Sequence, residues 1–133
     1  MDKGKKCELK FKQIVKDAEM YIHRFYDYKS GVRVPQPADY FVYSHKLIFV
    51  ECKEFAGSKL YFSKFRPSQF KGFEECRKHQ IPYIVFVLAN DREMFVCMMD
   101  LVYGMLPNSN GILTSEMTQI RSADELITFI RRL

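Results

Sequence analysis

Glu51 and Lys53 stand two residues apart in the run Phe49-Val50-Glu51-Cys52-Lys53-Glu54-Phe55. Two is the repeat of an extended chain, so in a strand this carboxylate and this ammonium emerge on one face. Their neighbours Leu47, Ile48, Phe49, Val50 and Phe55 make the segment apolar on both faces, the pattern of a sheet interior. An ion held there needs a partner or a metal, because desolvating it unpaired costs several kcal/mol.

A partner stands upstream. Asp39 to Tyr43 and Leu47 to Phe55 are β-rich runs separated by Ser44, His45 and Lys46, the spacing of an antiparallel hairpin. A hairpin turning about His45 sets Asp39 opposite Glu51, with Cβ atoms about 4.5–5.5 Å apart, and Lys53 follows on the same face. Two carboxylates that close repel unless a proton or a cation lies between them. Hard oxygen ligands suit Mg²⁺ or Mn²⁺, and a neighbouring ammonium can orient a water and offset charge on a phosphate. Those are the parts that phosphodiester hydrolysis requires. The same three side chains would also serve as a cross-strand ion-pair cluster at a sheet rim, and spacing alone leaves both uses open.

The elements that must hold these groups read as follows. From about Lys5 to Phe25, Phe11, Ile14, Val15, Ala18, Tyr21, Ile22 and Phe25 recur at helical spacing and predict an amphipathic first helix. Gly31 breaks it, and Val32 to Val34 form a short strand before Pro35-Gln36-Pro37. A short run follows at Lys59 to Phe62, and Pro67 and Ser68 open a second helix. Pro82 to Ala89 is the most apolar segment and the natural central strand, with Met94 to Met99 returning beside it. Pro107 to Gly111 is a loop by composition, and Ser122 and Glu125 cap a closing helix carrying Leu126, Ile127, Ile130 and Leu133. The order predicts an α/β fold with a mixed central sheet flanked by helices.

At 133 residues, with hydrophobic residues at 47% and no repeat or long linker, the chain reads as one folded domain, residues 1–133. Its charge of +5 favours an anionic partner such as nucleic acid, although other basic proteins share that balance. Cys7, Cys52, Cys76 and Cys97 form no CxxC pair, so neither a zinc ribbon nor a dithiol redox site is suggested. The histidines His23, His45 and His79 are scattered and read as surface or structural residues. Without a signal peptide or a long apolar run, a cytoplasmic protein away from the membrane is expected. A GxxxxGK[ST] loop is missing too, so no nucleotide cofactor is expected.

Pro37-Ala38-Asp39, an interval of eleven residues, and Glu51-Cys52-Lys53 resemble the motif of the PD-(D/E)XK nuclease superfamily. Within it the chain is most similar to Holliday-junction resolvases of the RecU and Hjc kind. Lys3-Gly4-Lys5-Lys6-Cys7-Glu8-Leu9 resembles the basic start of their first helix, and Phe65-Arg66-Pro67-Ser68-Gln69-Phe70 resembles the segment carrying a glutamine there. Ser68 departs from the histidine often found in the RecU kind.

The resemblance implies a restriction-endonuclease-like core and a Mg²⁺- or Mn²⁺-dependent endonuclease that resolves four-way DNA junctions as a homodimer. It implies that Asp39, Glu51 and the main-chain carbonyl of Cys52 hold the metal, and that Lys53 holds or activates the attacking water. Glu8 would join directly or through a water, with Glu19 as its rival, and Gln69 would contact the scissile phosphate or that water. Lys59, Lys64, Arg66 and Lys71, interleaved with Tyr61, Phe62, Phe65 and Phe70, would grip the DNA backbone, and Lys3, Lys5 and Lys6 a second arm. Phe41 and Tyr43, or Met94, Met98 and Met99, are candidates for a dimer interface as well as for core packing. The same motif fits a nuclease of duplex, flapped or single-stranded DNA, and an inactive DNA-binding relative is the reading from another class. Retention of Asp39, Glu51 and Lys53 argues against that last one.

Overall fold

The computed structural model describes residues 5–25, 28–29, 32–33 and 35–133. Lys3 lies outside them. In chain order the elements are α1 (Lys5–Asp17), β1 (Tyr21–Arg24), β2 (Tyr28–Lys29), β3 (Val32–Arg33), β4 (Tyr40–Tyr43), β5 (Leu47–Phe55) and β6 (Lys59–Tyr61). There follow α2 (Pro67–Lys78), β7 (Tyr83–Ala89), β8 (Glu93–Met98), α3 (Met99–Met105), β9 (Gly111–Leu113), β10 (Thr118–Ile120) and α4 (Ala123–Arg131).

Six strands form a mixed sheet in the order β1-β4-β5-β7-β8-β10, in which β5 and β7 run parallel and the other neighbours antiparallel. The β4–β5 hairpin has the expected register, with Tyr40 opposite Val50 and Tyr43 opposite Leu47. All seven residues of β7 are buried, as a strand covered on both faces requires.

Two apolar clusters fill the spaces on either side. On one face Cys7, Phe11, Ile14 and Val15 of α1 and Leu126, Ile127 and Ile130 of α4 meet Val42, Ile48, Val50, Cys52, Ile84 and Phe86. On the other, Phe73 and Cys76 of α2 and Met99 and Val102 of α3 meet Phe55, Tyr83, Val85 and Val87. That second layer also holds Leu60 and Ile112 from the separate β6–β9 ribbon. Among the described residues no helix is long and apolar enough to cross a membrane.

The first helix stops earlier than its apolar spacing predicts. α1 ends at Asp17, Glu19 reverses the chain at φ 58°, and Tyr21 to Arg24 become the edge strand β1. Ile22 turns toward the α1 layer while Tyr21 and His23 stay exposed, so two-residue alternation replaces the helical stripe. Lys59 to Tyr61 joins the ribbon instead of the main sheet, and α3, β9 and β10 occupy stretches without a sequence assignment. The closing helix starts as its cap predicts: Glu125 N–H donates to Ser122 Oγ (3.2 Å) and Arg121 N–H to Glu125 Oε2 (2.7 Å).

Candidate active site

Alternation along β5 divides its side chains between the two layers. Ile48, Val50 and Cys52 pack toward α1, while Glu51 and Lys53 turn toward α2. Glu51 is only 1% exposed, and so is Gln69 in the first turn of α2; they are the two buried residues of polar type among those described. Gln69 Nε2 donates to Glu51 Oε2 at 2.5 Å, while its Oε1 accepts from the Arg66 N–H at 2.8 Å. That pairing fixes which end of the amide faces the acid. Gln69 is therefore not a solvated residue in the first turn of its helix.

Lys53 is drawn in by four groups. Its Nζ lies 3.0 Å from Glu51 Oε2, donates to the Lys64 carbonyl at 2.7 Å and to Gln69 Oε1 at 3.4 Å, and sits 4.9 Å from the centre of the Phe65 ring. The ammonium is thus oriented by fixed groups while its side chain keeps 13% exposure.

Asp39 closes the arrangement from the start of β4. Its own N–H donates to the Val50 carbonyl, and its Oδ2 accepts from the Cys52 N–H at 2.8 Å. In an extended strand a residue's N–H and C=O point to the same side, so the Cys52 carbonyl is also turned toward Asp39. The Asp39 loop is held from behind. Tyr83 Oη donates to the Pro37 carbonyl at 2.5 Å, and Gly72 of α2 lies so close that a Cβ there would come within 2.4 Å of Pro37 Cβ.

Burial, then the nearby charges, pushes both acids upward. Asp39 reaches about 6, raised by desolvation and by the Glu8 charge, and Glu51 reaches about 8, raised by desolvation and by Asp39. Glu51 Oε1 is buried and has no hydrogen-bond partner. Two carboxylates short of positive charge, one with an orphaned oxygen, fit a hard divalent cation. Among the described residues no group of three or more His, Cys, Asp or Glu side chains forms a metal cluster. A cation here would therefore depend on Asp39, Glu51, the Cys52 carbonyl and water.

Glu8 and Glu19 are separated clearly. Glu8 makes an ion pair with Arg24 at the end of β1, and its charge is felt at Asp39. Glu19 is exposed in the turn beyond the far end of α1. Arg24 and Tyr40, whose hydroxyl is 3.5 Å from Arg24 Nη1, escaped the sequence reading because Arg24 was assigned to the first helix. The Tyr-Ile-His-Arg alternation was the available signal.

The predicted DNA contacts do not form one patch. Lys53, Lys64, Asn90 and Asp91 line one groove, and Lys6 reaches its rim through Asp91 at 3.5 Å. Arg66 and Lys71 line a different cleft with Pro35 and Ser68. Lys59 lies over Tyr61 on the ribbon, and Lys5 is exposed at the start of α1. Phe62 and Phe65 belong to the core, since the short helical turn at Phe62–Lys64 folds them inward, so they are not available to grip a backbone. Met99 is fully buried and Met94 and Met98 pack against the core, whereas Phe41 and Tyr43 lie on the outer part of the sheet.

The whole arrangement can be compared with solved structures. Archaeoglobus fulgidus Hjc, described as a Holliday junction resolvase from an archaeal hyperthermophile, superposes with a TM-score of 0.56 over 93% of each chain, at 14% sequence identity. The chain shares the Hjc fold. It is accordingly a restriction-endonuclease-like fold, as the resemblance implied. No protein-family profile matches the sequence, and no curated protein does. At that identity the likeness to Hjc speaks for architecture alone.

Proposed function

We propose that this chain is a divalent-metal-dependent DNA endonuclease that cuts four-way junctions as a homodimer in the cytoplasm. The observation that carries the reading is the buried Glu51 carboxylate, clamped on one oxygen by Lys53 and Gln69 and orphaned on the other, with Asp39 across the hairpin. A fold shared with Hjc supports it.

Mg²⁺ or Mn²⁺ bound by Asp39, Glu51 and the Cys52 carbonyl would supply Lewis acidity at the scissile phosphate and lower the pKa of a bound water. The chain's own groups do the rest. Lys53 places a cation beside the reacting phosphate, where charge builds in the transition state and counts for more in a partly dry site than in water. Gln69 holds Glu51 in place through the hydrogen bond from its Nε2 to Glu51 Oε2. Arg24 holds Glu8 in an ion pair near Asp39, on the side where a cation is needed.

The test is cleavage of labelled four-way junction, duplex, flap and single strand, each with Mg²⁺ or with chelator. Paired symmetric nicks on the junction, dependent on Mg²⁺, are expected. Equal cutting of plain duplex would remove the junction assignment, and unchanged cutting by Lys53→Ala would remove the site.

A further inference from the structure

On the α2 side of the sheet the outer strands β1 and β4 carry exposed rings. On the opposite face β1 and β4 are packed, with Ile22 and Val42 turned toward α1. On the α2 side they carry Tyr21, His23, Phe41 and Tyr43, paired across the strands as Tyr21 with Tyr43 and His23 with Phe41. Tyr21 is 60% and Tyr43 52% exposed, and His23 is exposed as well. The rings form a tilted array: His23 to Phe41 is 5.0 Å between centres at 32°, and Tyr21 to Phe41 is 6.1 Å at 33°. Through Phe25, 5.6 Å from Phe41 and 5.3 Å from Phe49, the array runs inward to Phe49, which precedes Glu51 by one step on the same face.

We propose that this aromatic row on β1 and β4 is a stacking platform for unpaired nucleotide bases, leading a single strand into the Glu51–Lys53 site. Stacking suits it because every base offers a π-face to a ring, without sequence preference. Cations flank both ends. Lys46 sits in the β4–β5 turn at the outer end, and Lys71 lines a cleft with Phe49 at the inner end, with Arg66 beside Lys71 in the next. That spacing offers phosphate partners on either side of the stacked bases.

A second copy of the chain is the competing occupant, and the size of the row weighs against it. Two strands about 4.8 Å apart and four residues long at about 3.4 Å each make a small strip, well short of the roughly 800 Å² per partner typical of stable association. The proposal rests on the nuclease reading for its biological substrate.

The experiment measures anisotropy of labelled short oligothymidylate and of an abasic strand of equal length, at one salt concentration and with chelator present. The wild-type chain is expected to bind the thymidine strand at least about 10-fold more tightly than the abasic one. Tyr21→Ala and Phe41→Ala should each weaken it about 5- to 100-fold, while Tyr21→Phe and Phe41→Tyr, which keep a ring in place, retain it. Equal affinity for the two strands, or alanine variants that bind like wild type, overturns the proposal. So does a sedimentation result in which the alanine pair turns a dimer into a monomer with strand affinity unchanged. Because binding is read without metal, strand binding without junction cleavage sinks only the nuclease reading, and cleavage without base dependence sinks only this one.

Discussion

The two faces of β5 share one backbone and differ in almost everything else. Toward α1, Ile48, Val50 and Cys52 join an apolar layer with Phe11 and Phe86. Toward α2, one step out of phase, the same strand buries Glu51 between Lys53 and Gln69 and leaves one of its oxygens unpaired. The first face is what hydrophobic burial favours, at about 25 cal/mol per Å² of apolar surface. The second opposes it, since desolvating a carboxylate costs several kcal/mol that its contacts only partly return. One strand thus carries a stabilising face and the face proposed to be reactive, and packing on the first lets the fold tolerate the buried charge of the second.

Substitution on the reactive face should give the largest effects. Lys53→Ala and Glu51→Gln are each expected to lower junction cleavage by about 10³-fold or more, read in single-turnover assays. Glu51→Gln should at the same time raise the melting temperature of the metal-free protein at pH 8, because it removes a buried charge. A fall in melting temperature would break the division between the faces. On the other face, Ile48→Ala is expected to cost about 2–5 kcal/mol in denaturant unfolding, while cleavage per folded molecule stays within about 3-fold. Loss of cleavage in a fully folded Ile48→Ala sample would show that the faces are coupled.

The acids also give the reactive face a pH signature. Asp39 is raised from 3.8 to about 6 and Glu51 from 4.5 to about 8, both chiefly by burial, so the folded chain binds protons that the unfolded chain has released. The stability they contribute is full below about pH 4 and is lost as pH rises through about 6 and then about 8. Metal-free protein should therefore lose on the order of 6 kcal/mol between about pH 4.5 and 8.5, the reverse of the usual carboxylate trend. Mg²⁺ should restore much of that at the high end, and Glu51→Gln should flatten the slope. A metal-free curve that rises with pH would place both acids outside a desolvated site.

The reactive face was legible in the sequence to an unusual degree, because a two-residue repeat and a three-residue turn leave little freedom: Leu47–Phe55 and the His45-centred register follow from them. The boundaries of α1 were not, since Tyr21, Ile22 and Phe25 continue helical spacing by coincidence and only the turn at Glu19 ends it. Strands β9 and β10 have three residues each, too short for alternation to show. Gln69 was named from a resemblance, but its burial depends on how α2 lies over β5, which no local pattern encodes. Arg24 followed the fate of the misread helix. Local periodicity found the groups on the strand and missed those that tertiary packing brings to it.

Cys52 is where the two faces meet, and it gives the smallest and sharpest test. Its thiol lies in the α1 layer, 5% exposed, and burial with the neighbouring Cys7 thiol holds its pKa well above the ordinary value, which favours the neutral thiol. Its backbone belongs to the other face, with the N–H on Asp39 Oδ2 and the carbonyl turned the same way. Cys52→Ala keeps that backbone and removes one buried sulfur. It should cost about 1 kcal/mol of stability, with cleavage unchanged within about 3-fold. The neighbouring Cys7 Sγ donates to the Phe86 carbonyl. If Cys52→Ala folded normally yet lost ten-fold or more in cleavage, the thiol would be taking part in chemistry from the packed side. The separation of roles between the two faces of β5 would then fail at the residue where they are closest.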